Sequence, residues 1–454
     1  MPGKMRSFLQ TELEKLTKDD YYYTYYDKTY IAYEPLRYLN DVFSVSFNFW
    51  FCKQEQIYPC FYFINGNKRL EFKLNTFASR INDFSNASFG PFQAVNQASR
   101  PTEVYIALKT LTHRIIFFKH HRILNYHDYN LAWNSPPSPL TLNLMVASCF
   151  SIPGYRSPAP LQPTLYNKMT AMAKTVSADF MLSVGDVIYV QPLSISSEIS
   201  IQAAYAQLKR YPRLQGLFSN STWLACNDDH EFSANDGLQN GPIISVLRNK
   251  FTDNFPLHSV SPDYRASVTM TKNITFVTLD TVSCRRLNPA STQDGEAFLS
   301  ILGPHQLQFL LDALSSVSAT FGATALCFVL VGKSMFGQQG KSTFLYCLAE
   351  RAPIFDHIKK LRLKNVVFIC GDSHFSDVSQ FSVDDNQLVR EIRCSAIGSE
   401  PRAGDVNPAR CEGSLVTKNN FGAIHISGLY NNYTITYTNH TIDSEYTYSW
   451  SLND

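Results

Sequence analysis

No run in this chain is apolar over the roughly 20 residues needed to span a bilayer. Met1 to Asp20 mixes charged and polar side chains with scattered leucines. It lacks the apolar core of a secretory signal, so the expected compartment is the cytoplasm, with non-classical export left open. No C-x-x-C pair occurs among the ten cysteines, and thiols scattered in this way suit a reduced protein better than a disulfide scaffold. Matches to N-x-S/T, such as Asn273-Ile274-Thr275, carry little weight without an export signal. Charge is sparse as well. Asp, Glu, Lys and Arg make up 17% of the residues and the net charge is +2, which excludes nucleic-acid binding through bulk positive charge.

Aromatic residues are plentiful, with 32 Phe and 25 Tyr, and these favour strands and thick cores. The length allows two or three domains. Residues 1–27 read as a leucine-spaced helix, Arg6 to Lys15, followed by the aromatic run Tyr21 to Tyr26. Residues 28–130 read as a small Ig-like β-sandwich. Phe43, Val45, Phe47, Phe49 and Phe51 alternate with polar Ser44, Ser46 and Asn48, the period of a half-buried strand. Ile57 to Phe63 and Leu70 to Leu74 flank an Asn65-Gly66 turn as a hairpin. Pro136-Pro137-Ser138-Pro139 marks a linker. Across 140–454 strand and helix patterns alternate before strands take over, which describes an α/β protein with a layered α/β/β/α domain.

Four short stretches in that second region carry the chemistry. They are Ser148-Cys149, Gly185-Asp186-Val187-Ile188-Tyr189, Asn227-Asp228-Asp229-His230-Glu231 and Gly371-Asp372-Ser373-His374, each directly after a strand-like run. Functional groups gather at such strand ends in open α/β sheets. Thiol, phenol, carboxylate and imidazole together read as a metal site. Asp186 and Tyr189 stand three apart in one loop, and a carboxylate there can bridge two cations. A phenol, with a reference pKa of about 10, needs a strongly Lewis-acidic ion to ionise near neutral pH, so Tyr189 points to a ferric-like ion. Cys149 supplies a soft thiolate to the same ion. Asp228, Asp229, His230 and Glu231 cannot all be buried without partners. One of the aspartates is expected to bind a second metal, with His230 facing the substrate as an acid or electrostatic clamp. Glu231 is expected to orient the imidazole. Asp372 and His374 then offer oxygen and nitrogen to adjacent metals.

The order of these pieces, with Leu279-Asp280-Thr281 and Leu302-Gly303-Pro304-His305-Gln306 between them, resembles the PhoD-like alkaline phosphatases and phosphodiesterases. That family belongs to the calcineurin-like metallophosphoesterases. The Gly-Asp-x-x-Tyr piece also resembles purple acid phosphatases, where the tyrosine binds ferric iron. The resemblance implies an N-terminal β-sandwich and a multimetal site of iron with calcium or another divalent ion. By matched motif, Cys149, Tyr189 and His374 would bind the iron, with Asp186 bridging and Asp229 and Asp372 on the second metal. Phosphate esters would be the substrates, hydrolysed by metal-activated water with His230 acting on the leaving oxygen or the phosphoryl group. The arginine that ends the family's Leu-Asp-Thr-Arg piece is Val282 here, with Arg285 and Arg286 close by.

Other readings are a non-catalytic binding protein on a phosphatase fold, or an effector hydrolase acting on phospholipid or phosphoprotein. Oligomeric state is left open. Gly332-Lys333-Ser334 and Gly340-Lys341-Ser342 mimic the end of a phosphate loop. The glycine such a loop needs five residues earlier is Cys327 in one and Met335 in the other, so Lys333 is expected to be solvated.

Overall fold

The computed structural model describes the strands lying within 29–122. It also describes 140–452 apart from 153–161, 190–200, 202–203, 206, 210, 233–242, 256–263, 265, 272–273, 288–297, 338–342, 385–386 and 430–431. The chain divides into two compact units, Met1–Pro136 and Pro137–Asp454. The helix and aromatic run expected before Asp27, and the proline linker, lie outside the described residues.

The first unit carries two antiparallel sheets. In one, Val42–Phe51 pairs with Thr29–Tyr33, Arg37–Leu39 and Asp83–Gln93. In the other, Glu55–Asn65 pairs with Lys68–Lys73, Phe77–Ser79 and Glu103–Thr110, and the last pairs with Ile115–Arg122. The alternating stretch is thus a strand. The expected hairpin pairs Asn65 with Lys68, so Asn65 belongs to the strand and not to the turn, and residues 66–67 lie outside the described residues.

The second unit is a pair of six-stranded mixed sheets. One has the order Thr222–Cys226, Phe180–Val184, Leu140–Ala147, Phe421–Leu429, Asn432–His440, Glu445–Ser451. Its first three strands are parallel and the rest antiparallel. The other has the order Ser267–Thr271, Ile274–Thr278, Leu326–Leu330, Asn365–Cys370, Gln387–Arg393, Asp377–Asp384, with a parallel centre and antiparallel edges. Period-two alternation decides what each face buries. From one strand, Leu144 and Val146 join Phe276, Phe328 and Ile369 in the core between the sheets. Their neighbours Met145 and Ala147 face the other way, into a core with Leu165, Tyr166, Leu214 and Phe251 from the helices Pro163–Thr175, Pro212–Asn220 and Ile243–Asn254. Helices Gly303–Phe321 and Leu348–Leu361 belong with the second sheet. This is the α/β/β/α layering expected from the alternation of patterns.

Pro353 sits inside the helix Leu348–Leu361. It falls in the second turn, where the missing N–H forfeits a single intrahelical bond. Glu350 in the same helix takes the amides of Ile301, Leu302 and Gly303 and the Ser300 hydroxyl on its buried carboxylate. It thereby satisfies donors that helix Gly303–Phe321 would otherwise leave open at its start. Among the described residues, no helix is long and apolar enough to cross a membrane. The eight described cysteines are all free.

Candidate metal centre

The carboxyl ends of parallel strands from both sheets deliver the chemistry-bearing loops. Cys149, Asp186, Asp372 and His374 have φ of 56°, 55°, 61° and 57°, four of the six non-glycine residues with positive φ among those described. Such a conformation costs about 1–3 kcal/mol and persists only where surrounding structure imposes it. Here it turns each side chain back over the end of its strand. The loops also touch. A Cβ on Gly371 would lie 2.2 Å from the Val184 carbonyl oxygen and 2.6 Å from the Ser148 side chain. One on Gly332 would lie 2.6 Å from Asp228 Cγ and 2.8 Å from Thr281 Oγ1. Only glycine lets these backbones approach so closely.

Cys149, Asp186 and His374 each offer one ligand atom, and those atoms lie within 4.8 Å of one another. Donors bound to one ion at about 2.0–2.3 Å stand at most roughly 4.6 Å apart, so the side chains are already near coordinating distance. Cys149 Sγ is 3.4 Å from Asp186 Oδ2 and 3.1 Å from Ser395 Oγ. His374 Nδ1 is 2.7 Å from the Glu400 carbonyl oxygen. With the Nδ1 proton donated there, Nε2 keeps its lone pair for a metal. The Tyr189 hydroxyl is 2.6 Å from Ser399 Oγ, and its ring centroid is 4.3 Å from that of His230.

Electrostatics make the same demand. Burial, then Asp229 and Asp228, hold the Asp186 carboxyl well above the usual carboxylate range. Burial, then Asp186, pushes the Cys149 thiol up, and burial, then Cys149 and Asp186, raises the Tyr189 phenol. Burial and then Arg402 lower the His374 imidazole, which favours the neutral form that binds metals. A buried thiol and carboxylate with a half-buried phenol beside them can ionise together only around a cation. On this observation the residues fit a metal ion at Cys149, Asp186 and His374, with Tyr189 beside them.

The second carboxylate set looks different. Asp186, Asp229 and Asp372 also bring ligand atoms within 4.8 Å of one another. But Lys333 Nζ sits 3.3 Å from Asp228 Oδ2, 3.2 Å from Asp229 Oδ1 and 3.0 Å from Asp372 Oδ1, with its side chain wholly buried. The expectation of a solvated Lys333 is therefore corrected: three carboxylates replace the water. Arg285 Nη2 adds a second cation 3.2 Å from Asp228 Oδ1. Burial, only partly offset by Lys333, raises the Asp228 carboxyl to about 7.

Glu231 also has another job than orienting the imidazole. Its two oxygens accept the backbone amides of Val187 and Asp228, tying two of the loops together. Burial pushes this carboxyl up to about 8. His230 donates its backbone N–H towards Asp186 Oδ1 at 3.4 Å, and its ring is half-buried. His230, Tyr189, His374 and Asp372 are the partly exposed members of the centre, while Cys149, Asp186, Asp228, Asp229 and Glu231 are buried. The mouth is therefore lined by two imidazoles, a phenol and the Asp372 carboxylate. Asp280 and Gln306, from the two intervening motifs, hold each other. Gln306 Oε1 takes the Asp280 amide at 2.7 Å, and Gln306 Nε2 donates to the Asp280 carbonyl at 2.7 Å.

Sequence reasoning named Lys333 but expected it in solvent, and it missed Ser395. A signal for Lys333 existed. Gly332-Lys333 repeats the pattern of Gly185-Asp186 and Gly371-Asp372: a buried strand, a glycine, then a charged residue. Ser395 follows the last parallel strand with nothing in its sequence context to mark it.

A model of the family described as PhoD-like phosphatase matches residues 144–445. A solved structure of PhoD has a TM-score of 0.67 at 16% identity, covering 94% of this chain and 90% of that one. The purple acid phosphatase PPD1 from seeds of yellow lupin (Lupinus luteus) has a TM-score of 0.60 at 10% identity, covering 93% of this chain and 74% of that one. At these identities the two structures speak for the fold. No curated protein matches the chain.

Proposed function

The chain belongs to the PhoD-like phosphatase family, and from that premise we propose that it hydrolyses phosphate esters at a metal held by Cys149, Asp186, Tyr189 and His374. One observation carries the reading: thiol, carboxylate and imidazole from three separate loops meet in left-handed backbone at the end of the sheets. A bound Lewis-acidic metal would polarise a phosphoryl oxygen and lower the pKa of a water beside it. The thiolate and phenolate donors favour ferric iron there.

The chain's own groups do the rest. Asp186 brings negative charge to the centre of the donor set, and Glu231 fixes its loop to the one bearing His230. The Tyr189 ring supports the His230 imidazole at the mouth. From there His230 reaches a leaving oxygen and gives it a proton as the ester bond breaks. The Glu400 carbonyl holds His374 in one tautomer.

The test is Asp186→Asn in the purified full chain. Metal content and turnover of a chromogenic phosphate ester should fall together. Full turnover in that variant would exclude the assignment. If iron is present, Tyr189→Phe should remove a visible tyrosinate-to-iron absorption band; an unchanged band would remove Tyr189 from the donor set.

A further inference from the structure

We propose that the Lys333 ammonium takes the place of a second metal ion, so that the chain holds a single ion, at Cys149, Asp186, Tyr189 and His374. This rests on the metal-dependent reading above. An ammonium has three N–H donors, and Lys333 Nζ lies 3.0–3.3 Å from one oxygen of each of three aspartates. Those are ion-pair distances to nitrogen, with a hydrogen bond to Asp229. A divalent ion would need the same oxygens at about 2.0–2.6 Å.

The loop bearing the lysine is fastened on every side. Gly332, lacking a Cβ, lets it press against Asp228 and Thr281. The Gly332 carbonyl accepts the Gly371 amide at 3.3 Å. Beyond the lysine, buried Glu391 takes the Ser334 hydroxyl at 2.7 Å and the Met335 amide. Ser334 Oγ in turn accepts the amides of Phe336 and Gly337 at 3.2 and 2.7 Å. Glu391 is itself held near Arg393, which is bound by Asp377 and Asp405.

Charge is what opposes a second ion, since Asp186, Asp229 and Asp372 are spaced closely enough to share one. A divalent cation among Asp186, Asp229 and Asp372 would stand beside the buried Lys333 ammonium, 3.2 and 3.0 Å from two of those carboxylates, where like charges a few ångströms apart repel strongly. The lysine also works without any metal supply. Its ammonium lies against Asp228, Asp229 and Asp372 and leaves Asp186 to the single ion.

Elemental analysis of the purified full chain, with Mn2+ titration as the probe of further sites, tests this. The wild-type chain should hold one ion and take up no Mn2+ beyond it, while Lys333→Ala should gain one Mn2+ per chain. Two ions per wild-type chain, together with ester hydrolysis, would overturn the proposal while sparing the function. A folded Lys333→Ala that gains no Mn2+ would overturn it too. If Lys333→Ala does not fold, the wild-type count decides alone. A wild-type chain with neither ion nor hydrolysis would overturn this proposal and the reading it rests on.

Discussion

Adding one methyl group at Gly371 should separate the loops of the centre. The Cβ of Gly371→Ala would lie 2.2 Å from the Val184 carbonyl oxygen and 2.6 Å from Ser148, whereas ordinary Cβ contacts begin at 3.4 Å. The gap must widen by about 1 Å, because neighbouring backbone cannot swing aside as a flexible side chain would. Val184 leads into the Asp186 loop, Ser148 into Cys149, and Gly371 itself into Asp372 and His374. The methyl group therefore wedges apart the three loops that carry the donors. Overpacking of this kind costs roughly 1–3 kcal/mol of stability. A misplacement of ~1 Å at a reacting centre costs on the order of 100-fold in rate. Turnover of a chromogenic phosphate ester, metal content and thermal melting should be measured on one preparation. Gly413→Ala is the control: it has φ of 71° but nothing within 4 Å of its Cβ, so it tests backbone strain without the wedge. It should melt slightly lower and turn over normally. Wild-type metal content and turnover in Gly371→Ala would refute the claim that these loops form one packed centre.

His230→Ala should lower kcat by about 100-fold or more for esters with alkoxide leaving groups, and much less for nitrophenyl esters, which depart without a proton. Equal losses for both would exclude His230 as the acid. Burial raises the Glu391 carboxyl from 4.5 to about 7 in the folded chain. Between about pH 4.5 and 7 the folded state then binds more protons than the unfolded one, so this group's contribution to stability falls as pH rises and is lowest above about 7. Glu391→Gln removes that titration, and its melting temperature should fall less between pH 5 and 8 than that of the wild type. Parallel curves would show that Glu391 does not titrate there.

Legibility in the sequence followed how local each signal was. Val42–Phe51 announces itself by period-two aromatics. The donor loops were legible because ionisable groups directly after apolar strands stand out. Two edge strands were missed. Asp377–Asp384 is polar along half its length, and in Glu445–Ser451 the aromatics Tyr446, Tyr448 and Trp450 alternate plainly but close the chain after a turn-rich stretch. Lys333 was misread for a physical reason. Lysine is almost never buried unless paired, and its partners lie about 40 and 100 residues away. The role of Glu231 was not legible, because backbone amides left unpaired by loops carry no side-chain signal in the sequence. The Glu231 oxygens go to such amides.

The most direct measurement is hydrolysis of a phosphate monoester and a phosphodiester by the purified full chain, before chelation, after it, and after metal is restored. The account predicts turnover of at least one ester, its loss with the metal and its return on reloading. A rate indifferent to chelation, or no hydrolysis of either ester at any metal loading, would contradict it.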